Sequence, residues 1–247
     1  MGDRSEAQRR MLQFFSYLHR SSDGSQFFAE GVRCHFATTN YDFVIETILD
    51  NIIGPDDSLF LYTYHGFTPV KTAGRPNPVI TQNHWLTAHL LKLNGGFEIL
   101  RNGDRYELDY GRRKRSAIID KPPVLMLPSR EQDYSDPYFR TIFPKAVRLM
   151  RETLVLVLVG YSLPDDDALM RFILRQFAEE PEDGRDKYIF YVDPSPQDKK
   201  LKKLEAVFPS ISQLGVPKVV TFEGGFSDFA RECMSVVPRN QLHTFDN

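Results

Sequence analysis

The sequence predicts an α/β fold in which helices cover a doubly wound parallel sheet. From residue 150 onward, apolar strand patterns alternate with helical patterns in the order βαβαβα. The run from Leu154 to Val159 is continuously apolar, which is typical of a strand covered on both faces. Repeated units of this kind favour parallel pairing and place ligand-binding residues just after the carboxyl ends of the strands.

The periodicity of apolar residues defines the individual elements. In the opening segment, five apolar residues fall on one stripe at helical spacing: Met11, Leu12, Phe14, Phe15 and Leu18. The same spacing predicts helices over 7–18, 41–53, 137–151, 168–177, 197–207 and 226–236. Short apolar runs predict strands over 32–38, 58–64, 88–93, 124–127, 154–159, 187–192 and 218–222. A hairpin over 97–110 is expected to turn at Asn102-Gly103.

Length and composition limit the classes of function. The 247 residues predict a single domain over 1–247, with a loop and hairpin region inserted at 66–120. A formal net charge of -2 gives no overall field toward nucleic acids or anionic membranes. No apolar run approaches the roughly 20 residues that span a bilayer. The two cysteines, Cys34 and Cys233, form no disulfide framework or four-thiolate zinc site, so we expect a cytoplasmic protein without metal.

Polar residues follow the first predicted strand at Thr38, Thr39, Asn40 and Asp42. Asp42 stands where a helix N-cap is expected, which is a structural role. Asn40 is also placed to point its amide into the ligand crevice of a doubly wound sheet. Both interpretations stay open from the sequence.

Two further strand ends carry polar residues. The strand over 154–159 runs into Gly160-Tyr161-Ser162-Leu163-Pro164 and then three aspartates, which suit the first turn of the next helix. A serine hydrolase that uses Ser162 is a third, disfavoured alternative, because Pro164 replaces the glycine that a nucleophile elbow needs. Asp193 follows the next strand, where a carboxylate can accept ribose hydroxyls or open a turn.

Four strings resemble the ordered motifs of the SIR2-like family, in its bacterial NAD-hydrolase branch. They are FATTNYD (36–42), KLNGG (92–96), VLVGYSLPDDD (157–167) and YVDP (191–194). The resemblance implies a Rossmann-like NAD-binding core, cleavage of the nicotinamide–ribose bond and a role in anti-phage defence by NAD depletion. It disfavours the deacetylase branch, whose four-cysteine zinc module is absent from 91–156.

The resemblance also assigns roles to residues. Asn40 would orient the nicotinamide-side ribose and water, with Thr38, Thr39 and Asp42 shaping that pocket. On the phosphate and adenosine side, Gly160 and Ser162 would approach the ligand, and Asp193 would hold the adenosine ribose.

One departure concerns the histidine that serves as the general base in the family. Asn94 stands at its usual position, and an asparagine amide cannot accept and hold a proton near neutral pH. An alternative alignment makes Tyr64-His65-Gly66 the histidine motif. We prefer Asn94 because 92–95 matches more positions, and we keep His65 with Asn40 as a candidate catalytic residue.

A second departure is the apparent lack of the first strand and its Gly-Ala-Gly-x-Ser phosphate loop before residue 32. The chain is then the later portion of a longer protein, or is completed by a homo-oligomer or a partner chain or domain, or is a degenerate scaffold. We expect weak NAD binding by this chain alone. The expected function is an NAD-binding domain that hydrolyses NAD when complete; the alternative is an inactive interaction or oligomerisation module.

Overall fold

The computed structural model of the chain describes residues 6–19, 34–52, 63–64, 67, 69–74, 89–112, 115–127, 133–178 and 184–236. The described chain is a mixed α/β fold with parallel sheets, as the sequence predicts. It divides into two compact units, one within Met1–Phe14 and Ala146–Asn247 and the other within Phe15–Lys145. The extent predicted for one domain, with 66–120 inserted, stays a prediction.

Helices and strands alternate over most of the described chain. The helices are α1 (Glu6–His19), α2 (Val44–Ile52), α3 (Arg115–Asp120), α4 (Pro137–Glu152), α5 (Ala168–Arg175), α6 (Gln197–Val207), α7 (Ser210–Leu214) and α8 (Phe226–Ser235). The strands are β1 (Phe36–Thr38), β2 (Thr63–Tyr64), β3 (Thr72–Ala73), β4 (His89–Lys92), β5 (Gly95–Asn102), β6 (Arg105–Asp109), β7 (Pro123–Leu125), β8 (Val155–Val159), β9 (Tyr188–Asp193) and β10 (Lys218–Glu223). Each predicted element overlaps an observed one, whereas α3, α7 and β3 were not predicted.

The unit within Phe15–Lys145 contains two sheets. One is parallel with the order β1-β4-β2, and its register places Thr38 opposite Lys92. The other has the order β3-β6-β5-β7, in which β5 and β6 form the predicted hairpin. Because Asn102 pairs with Arg105, the turn residues are Gly103 and Asp104, one position later than predicted. Gly103 has a φ of 59°, which glycine adopts without strain.

The unit that includes Ala146–Asn247 is built on the parallel sheet β10-β9-β8, which confirms the pattern predicted from residue 150 onward. One face of this sheet carries the larger core, with α5 and α6 packed over it. Its buried members are Leu156, Leu158, Leu163, Leu174, Phe177, Ile189, Tyr191, Leu204, Val207 and Phe208. On the other face, Phe229 of α8 contacts Phe190 of β9 and Phe222 of β10.

The prediction that β8 is covered on both faces is wrong for the described structure. Leu156 and Leu158 are buried, but Val155, Val157 and Val159 are 51%, 40% and 45% exposed. The physical reason is that β8 is an edge strand, while the aromatic contacts of α8 fall on β9 and β10. A continuous apolar sequence therefore does not by itself specify burial on both sides.

Within the described residues, β1 is an edge strand of its sheet and β8 is an edge strand of its own. An edge strand pairs on one side only, and unpaired edges of this kind are expected where the first strand of the sheet is missing. The absence of a first strand itself stays a prediction. No helix among the described residues has the length and apolar character needed to cross a membrane.

Candidate functional site

The ends of β1 and β4 bring together several residues that the sequence predicts as functional. The backbone N–H of Leu93 donates to the carbonyl of Thr38 at 2.8 Å. The side-chain amide of Asn94 donates to the carbonyl of Thr39 at 3.1 Å. We call Thr38, Thr39, Asn40, Asp42 and Asn94 the strand-end cluster.

Asn40 is one of two exposed residues of this cluster, the other being Asp42. The residue is exposed, and its backbone N–H donates to Oγ1 of Thr38 at 3.0 Å. The hydroxyl of Thr38 therefore fixes the backbone just before the asparagine. An exposed amide on a fixed backbone can both donate and accept hydrogen bonds with a ligand.

Asp42 begins the helix that follows. Its Oδ1 accepts a hydrogen bond from the backbone N–H of Val44, the first residue of α2, at 3.1 Å. This is the helix-capping role predicted as the structural alternative. A role for Asp42 in shaping a ligand pocket stays a prediction.

Behind the cluster lies a buried charged group that the sequence reasoning missed. The side chain of Lys92 is fully buried, and its Nζ lies 3.1 Å from Oε1 of Glu46 and 3.1 Å from Oε1 of Glu98. Nζ also donates to the carbonyl of Asp42 at 2.6 Å. We call Lys92, Glu46 and Glu98 the buried charge cluster. The available signal was a lysine inside the apolar run HLLKL, which requires buried partners for its charge.

The pKa of the Glu98 carboxyl lies well above its ordinary value. Burial raises its pKa to about 7, against the opposing effect of the Lys92 charge, while the neighbouring charge of Glu46 raises it further. Its protonation state therefore changes near neutral pH. Tyr138 of α4 lies beside the buried charge cluster, and its buried hydroxyl donates to the carbonyl of Lys92 at 2.8 Å.

A side chain is excluded at each of the two glycines of the KLNGG string, for a different geometric reason at each. Gly95 has a φ of 77°, and a Cβ there would lie 2.1 Å from the carbonyl oxygen of Val124. A Cβ on Gly96 would lie 2.4 Å from Oε2 of Glu98. The first glycine therefore permits the turn and the approach of β7, and the second leaves room for the buried carboxyl.

Asn94 lies where the preferred alignment places it, next to Thr39. His65, the alternative, lies outside the described residues, as does the segment 75–88 of the inserted region. The strand before His65 is described, and it pairs Tyr64 with Leu90 of β4. The choice between Asn94 and His65 as the counterpart of the family histidine stays open.

A cleft of about 760 Å³ lies in the same unit, lined by β7 and the start of α4. None of the predicted site residues lines it. It is connected to the strand-end cluster through Met126, whose N–H donates to the carbonyl of Asn94 at 2.8 Å and whose carbonyl accepts from the hydroxyl of Tyr41. We place the candidate site at the strand ends, because the chemistry-bearing side chains are there.

The other unit holds the second group of predicted residues, at the ends of β8 and β9. The N–H of Gly160 donates to the carbonyl of Val192 at 3.0 Å. Gly160 has a φ of 62° and Leu163 a φ of 52°. A positive φ at a leucine is uncommon and costs energy, and such strain concentrates at functional loops. Within this loop, Gly160 and Ser162 are both exposed.

Tyrosines hold this loop in place. The hydroxyl of Tyr161 donates to Oδ2 of Asp167 at 2.6 Å, and the hydroxyl of Tyr191 donates to the carbonyl of Tyr161 at 2.9 Å. Burial and then the hydrogen bond to Asp167 raise the pKa of Tyr161 far above its ordinary value. The loop therefore presents Ser162 on a backbone fixed from both sides.

Only one of the three aspartates after this loop has the helix-start role that the sequence suggested, because α5 begins at Ala168 and its first turn holds no acidic residue. Asp167 caps α5 by accepting from the N–H of Met170 at 3.1 Å. Asp165 lies 2.8 Å from Nη1 of Arg171. Among the residues that the structure describes, no group of three His, Cys, Asp or Glu side chains could hold a metal ion.

Asp193 opens a turn, which was one of its two predicted roles. Its Oδ1 accepts from the N–H of Ser195 at 2.8 Å and from the hydroxyl of the same serine. Partial burial opposes ionisation of Asp193, but the Ser195 bonds and nearby lysine charges lower its pKa below the ordinary value. A role in binding ribose stays a prediction.

The comparison with protein families covers both groups of residues. The family described as the SIR2-like domain matches residues 35–208. The chain belongs to the SIR2-like family. No curated protein matches the chain. The matched range confirms the resemblance to the SIR2-like family and includes every residue proposed for the site, whereas the NAD-hydrolase branch and the missing first strand stay predictions.

SIR2-like domains bind NAD, so the described residues can be tested against that molecule. NAD presents a carboxamide, two riboses and a pyrophosphate, which need amide, hydroxyl and backbone partners. In one unit, the SIR2-like chain exposes the Asn40 amide on a fixed backbone. In the other, it exposes Gly160 and Ser162 beside a strand end. The Asn40 amide and the Ser162 hydroxyl are donor types that fit parts of NAD, whereas the Gly160 N–H already donates to the Val192 carbonyl.

Proposed function

We propose that this chain binds NAD and, as part of a complete site, cleaves the nicotinamide–ribose bond in prokaryotic anti-phage defence. One observation carries the proposal. The hydrogen bond from Asn94 to Thr39 joins two motif segments and leaves the Asn40 amide exposed beside them. An ordered, accessible amide is the group needed to hold a ribose and an attacking water.

Cleavage of this bond depends more on the orientation of the ribose and the attacking water than on a strongly reactive protein group. Cleaving the N-glycosidic bond passes through an oxocarbenium-like state and releases neutral nicotinamide. Asn40 would hold the ribose hydroxyls and the water, while Thr38 and Thr39 shape the pocket. Because Asn94 cannot take the proton of that water, we expect hydrolysis to lack general-base help worth about 10²–10⁴-fold, unless His65 supplies it.

The remaining part of NAD would bind the second group. Gly160 offers close backbone approach to the phosphates, and Ser162 offers a hydroxyl to the phosphates or the adenosine. Asp193 would accept the adenosine ribose hydroxyls, although its Oδ1 already accepts from Ser195. Binding by this chain alone is expected to be weak without a phosphate loop. The two scattered cysteines also favour a cytoplasmic location.

The second candidate function is an inactive interaction or oligomerisation module. Two observations favour it: Asn94 where a base is expected, and the exposed valines of β8 at an open sheet edge. In this case the chain would act through a second copy of itself or a partner chain or domain.

Nicotinamide release from NAD tests the proposal. We expect slow release by the full chain and at least about tenfold less by Asn40→Ala. Asn102→Ala is the matched control, since it removes an exposed amide from the hairpin of the same unit. Binding of NAD without release at high protein concentration would instead support the inactive module.

Two further results would correct details of the proposal. Loss of release in His65→Ala would make His65 the base and overturn the alignment that prefers Asn94. Tight NAD binding by the isolated chain would contradict the expected need for a phosphate loop.

A further inference from the structure

The geometry points to Lys92, Glu46 and Glu98 as residues that position the segment Thr38–Asp42, tightening it when Glu98 takes up a proton. The inference rests on the proposed function only in treating this segment as part of the NAD site. Its first test needs no ligand. None of the three side chains is exposed enough to contact NAD itself.

Lys92 links the segment to the sheet. Its ammonium has three donors, and three acceptors surround it: the Asp42 carbonyl at 2.6 Å and one oxygen each of Glu46 and Glu98 at 3.1 Å. Asp42 also caps α2, so one buried ammonium holds both the first turn of the helix and the loop that precedes it. Asn40 lies two residues before that anchored carbonyl.

The charge of the cluster depends on Glu98. With both carboxyls ionised, one cation faces two anions in a site where all three side chains are buried. An uncompensated buried charge is costly, whereas one ammonium with one carboxylate is balanced. Burial raises the pKa of Glu98 to about 7, so neutral solution lies at the change between these two states.

Groups on several elements face Glu98. Lys92 approaches from β4 and Glu46 from α2. Tyr138 approaches from α4; burial, and after it the charge of Glu98, raise its pKa well above the ordinary range, so it stays neutral. When Glu98 ionises, it repels Glu46 and attracts the Lys92 ammonium away from the Asp42 carbonyl. The Thr38–Asp42 segment therefore loosens as the pH rises through about 7.

Two histidines in the same sheet require a control. The rings of His35 and His89 stack at 5.1 Å, and the backbone N–H of His89 donates to Nδ1 of His35 at 3.1 Å. They lie where β1 and β4 begin, the end opposite the strand-end cluster. Histidines also titrate near neutral pH, so the experiment must assign any transition to Glu98.

The first test is a pH titration of the ¹⁵N-labelled full chain by NMR without ligand. In the native protein, the amides of Thr39, Asn40 and Val44 are expected to shift together, with a midpoint near pH 7. In Glu98→Gln, these shifts should disappear. Glu107→Gln is the matched control, because it changes a carboxyl of the same hairpin that pairs with Lys121 outside the cluster, and it should leave the transition intact.

Two outcomes would overturn the inference. One is a native protein in which these amides do not titrate near pH 7; the other is a transition that persists in Glu98→Gln, which would assign it to a group other than Glu98. If Glu98→Gln does not fold, ¹³C labelling of glutamate carboxyls in the native protein replaces it. The Glu98 carboxyl and the three amides must then share one midpoint, and different midpoints would refute the coupling.

The NAD dissociation constant at pH 6 and pH 8 extends the test to the site. We expect NAD to bind about tenfold more weakly at pH 8, the ratio that corresponds to one unit of pKa coupling, and equally at both pH values in Glu98→Gln. Titrating amides with no NAD binding at either pH would overturn the proposed function and uphold the positioning role. Titrating amides with equal NAD affinity at both pH values would overturn the link between this positioning and the ligand.

Discussion

The side-chain amide of Asn94 donates to the backbone carbonyl of Thr39 across 3.1 Å, at the ends of two paired strands. The asparagine thus fastens the loop that presents Asn40, at the position where the family resemblance expects a base. An amide that cannot accept a proton serves here as a structural clamp. The role that the structure shows for this amide is to hold the Thr39 backbone.

Asn94→Ala should therefore weaken both the fold and NAD binding. The variant removes the donor to Thr39 and leaves that carbonyl without its partner, which costs about 1 kcal/mol of unfolding free energy. Urea unfolding and NAD titration measure the two effects. Asn102→Ala, which removes an exposed bond to Glu107, should change the unfolding free energy by less than about 0.5 kcal/mol. Equal losses in the two variants would contradict the clamp.

The sequence was most informative where contacts are local and periodic. Gln197–Val207 was predicted as a helix with the observed bounds, because its apolar positions recur at helical spacing. The strand-end cluster followed from topology, since parallel strands bring their carboxyl ends to one edge. The short helix Arg115–Asp120 was missed because its six residues span fewer than two turns, which is too short to show such periodicity.

Long-range features could not be predicted in the same way. The pairing of Lys92 with Glu46 joins residues from two elements, and no spacing in the sequence indicates which acidic residues meet the lysine. The exposed valines of β8 depend on which strands α8 covers, which is decided by packing. Neither feature can be predicted from sequence spacing, because each depends on which elements pack together in the folded chain.

Gly96→Ala should destabilise the protein through Glu98. The added Cβ would lie 2.4 Å from the Glu98 carboxylate, which must then move within a filled interior. We expect a loss of about 1–3 kcal/mol in unfolding free energy, measured by urea denaturation. Gly111→Ala serves as the control, since its nearest atom is an Asp109 oxygen at 3.3 Å. A Gly96→Ala protein as stable as the control would show that the carboxyl has room to spare.

Asp167→Ala should cost more than Asp166→Ala. Asp167 accepts from the first turn of α5 and from the hydroxyl of Tyr161, whereas Asp166 is exposed. Loss of the cap is worth about 1–2 kcal/mol, and surface changes typically less than about 0.5 kcal/mol. Thermal unfolding of the two variants measures the difference. Similar midpoints would mean that the cap and the tyrosine bond contribute little.

The stability of the protein should depend on pH through Glu98. Its pKa in the folded protein, about 7, lies above the ordinary value of 4.5, so the folded state binds the proton more tightly. The contribution of Glu98 to the unfolding free energy is therefore highest below about pH 4.5. It falls by about 2–3 kcal/mol as the pH rises to about 7. Glu98→Gln lacks this loss, so its advantage over the native protein in urea unfolding should grow from pH 5 to pH 8. Glu107→Gln should show no such gain, because Lys121 lowers the pKa of Glu107. A difference between Glu98→Gln and the native protein that stays constant over this range would contradict the raised pKa.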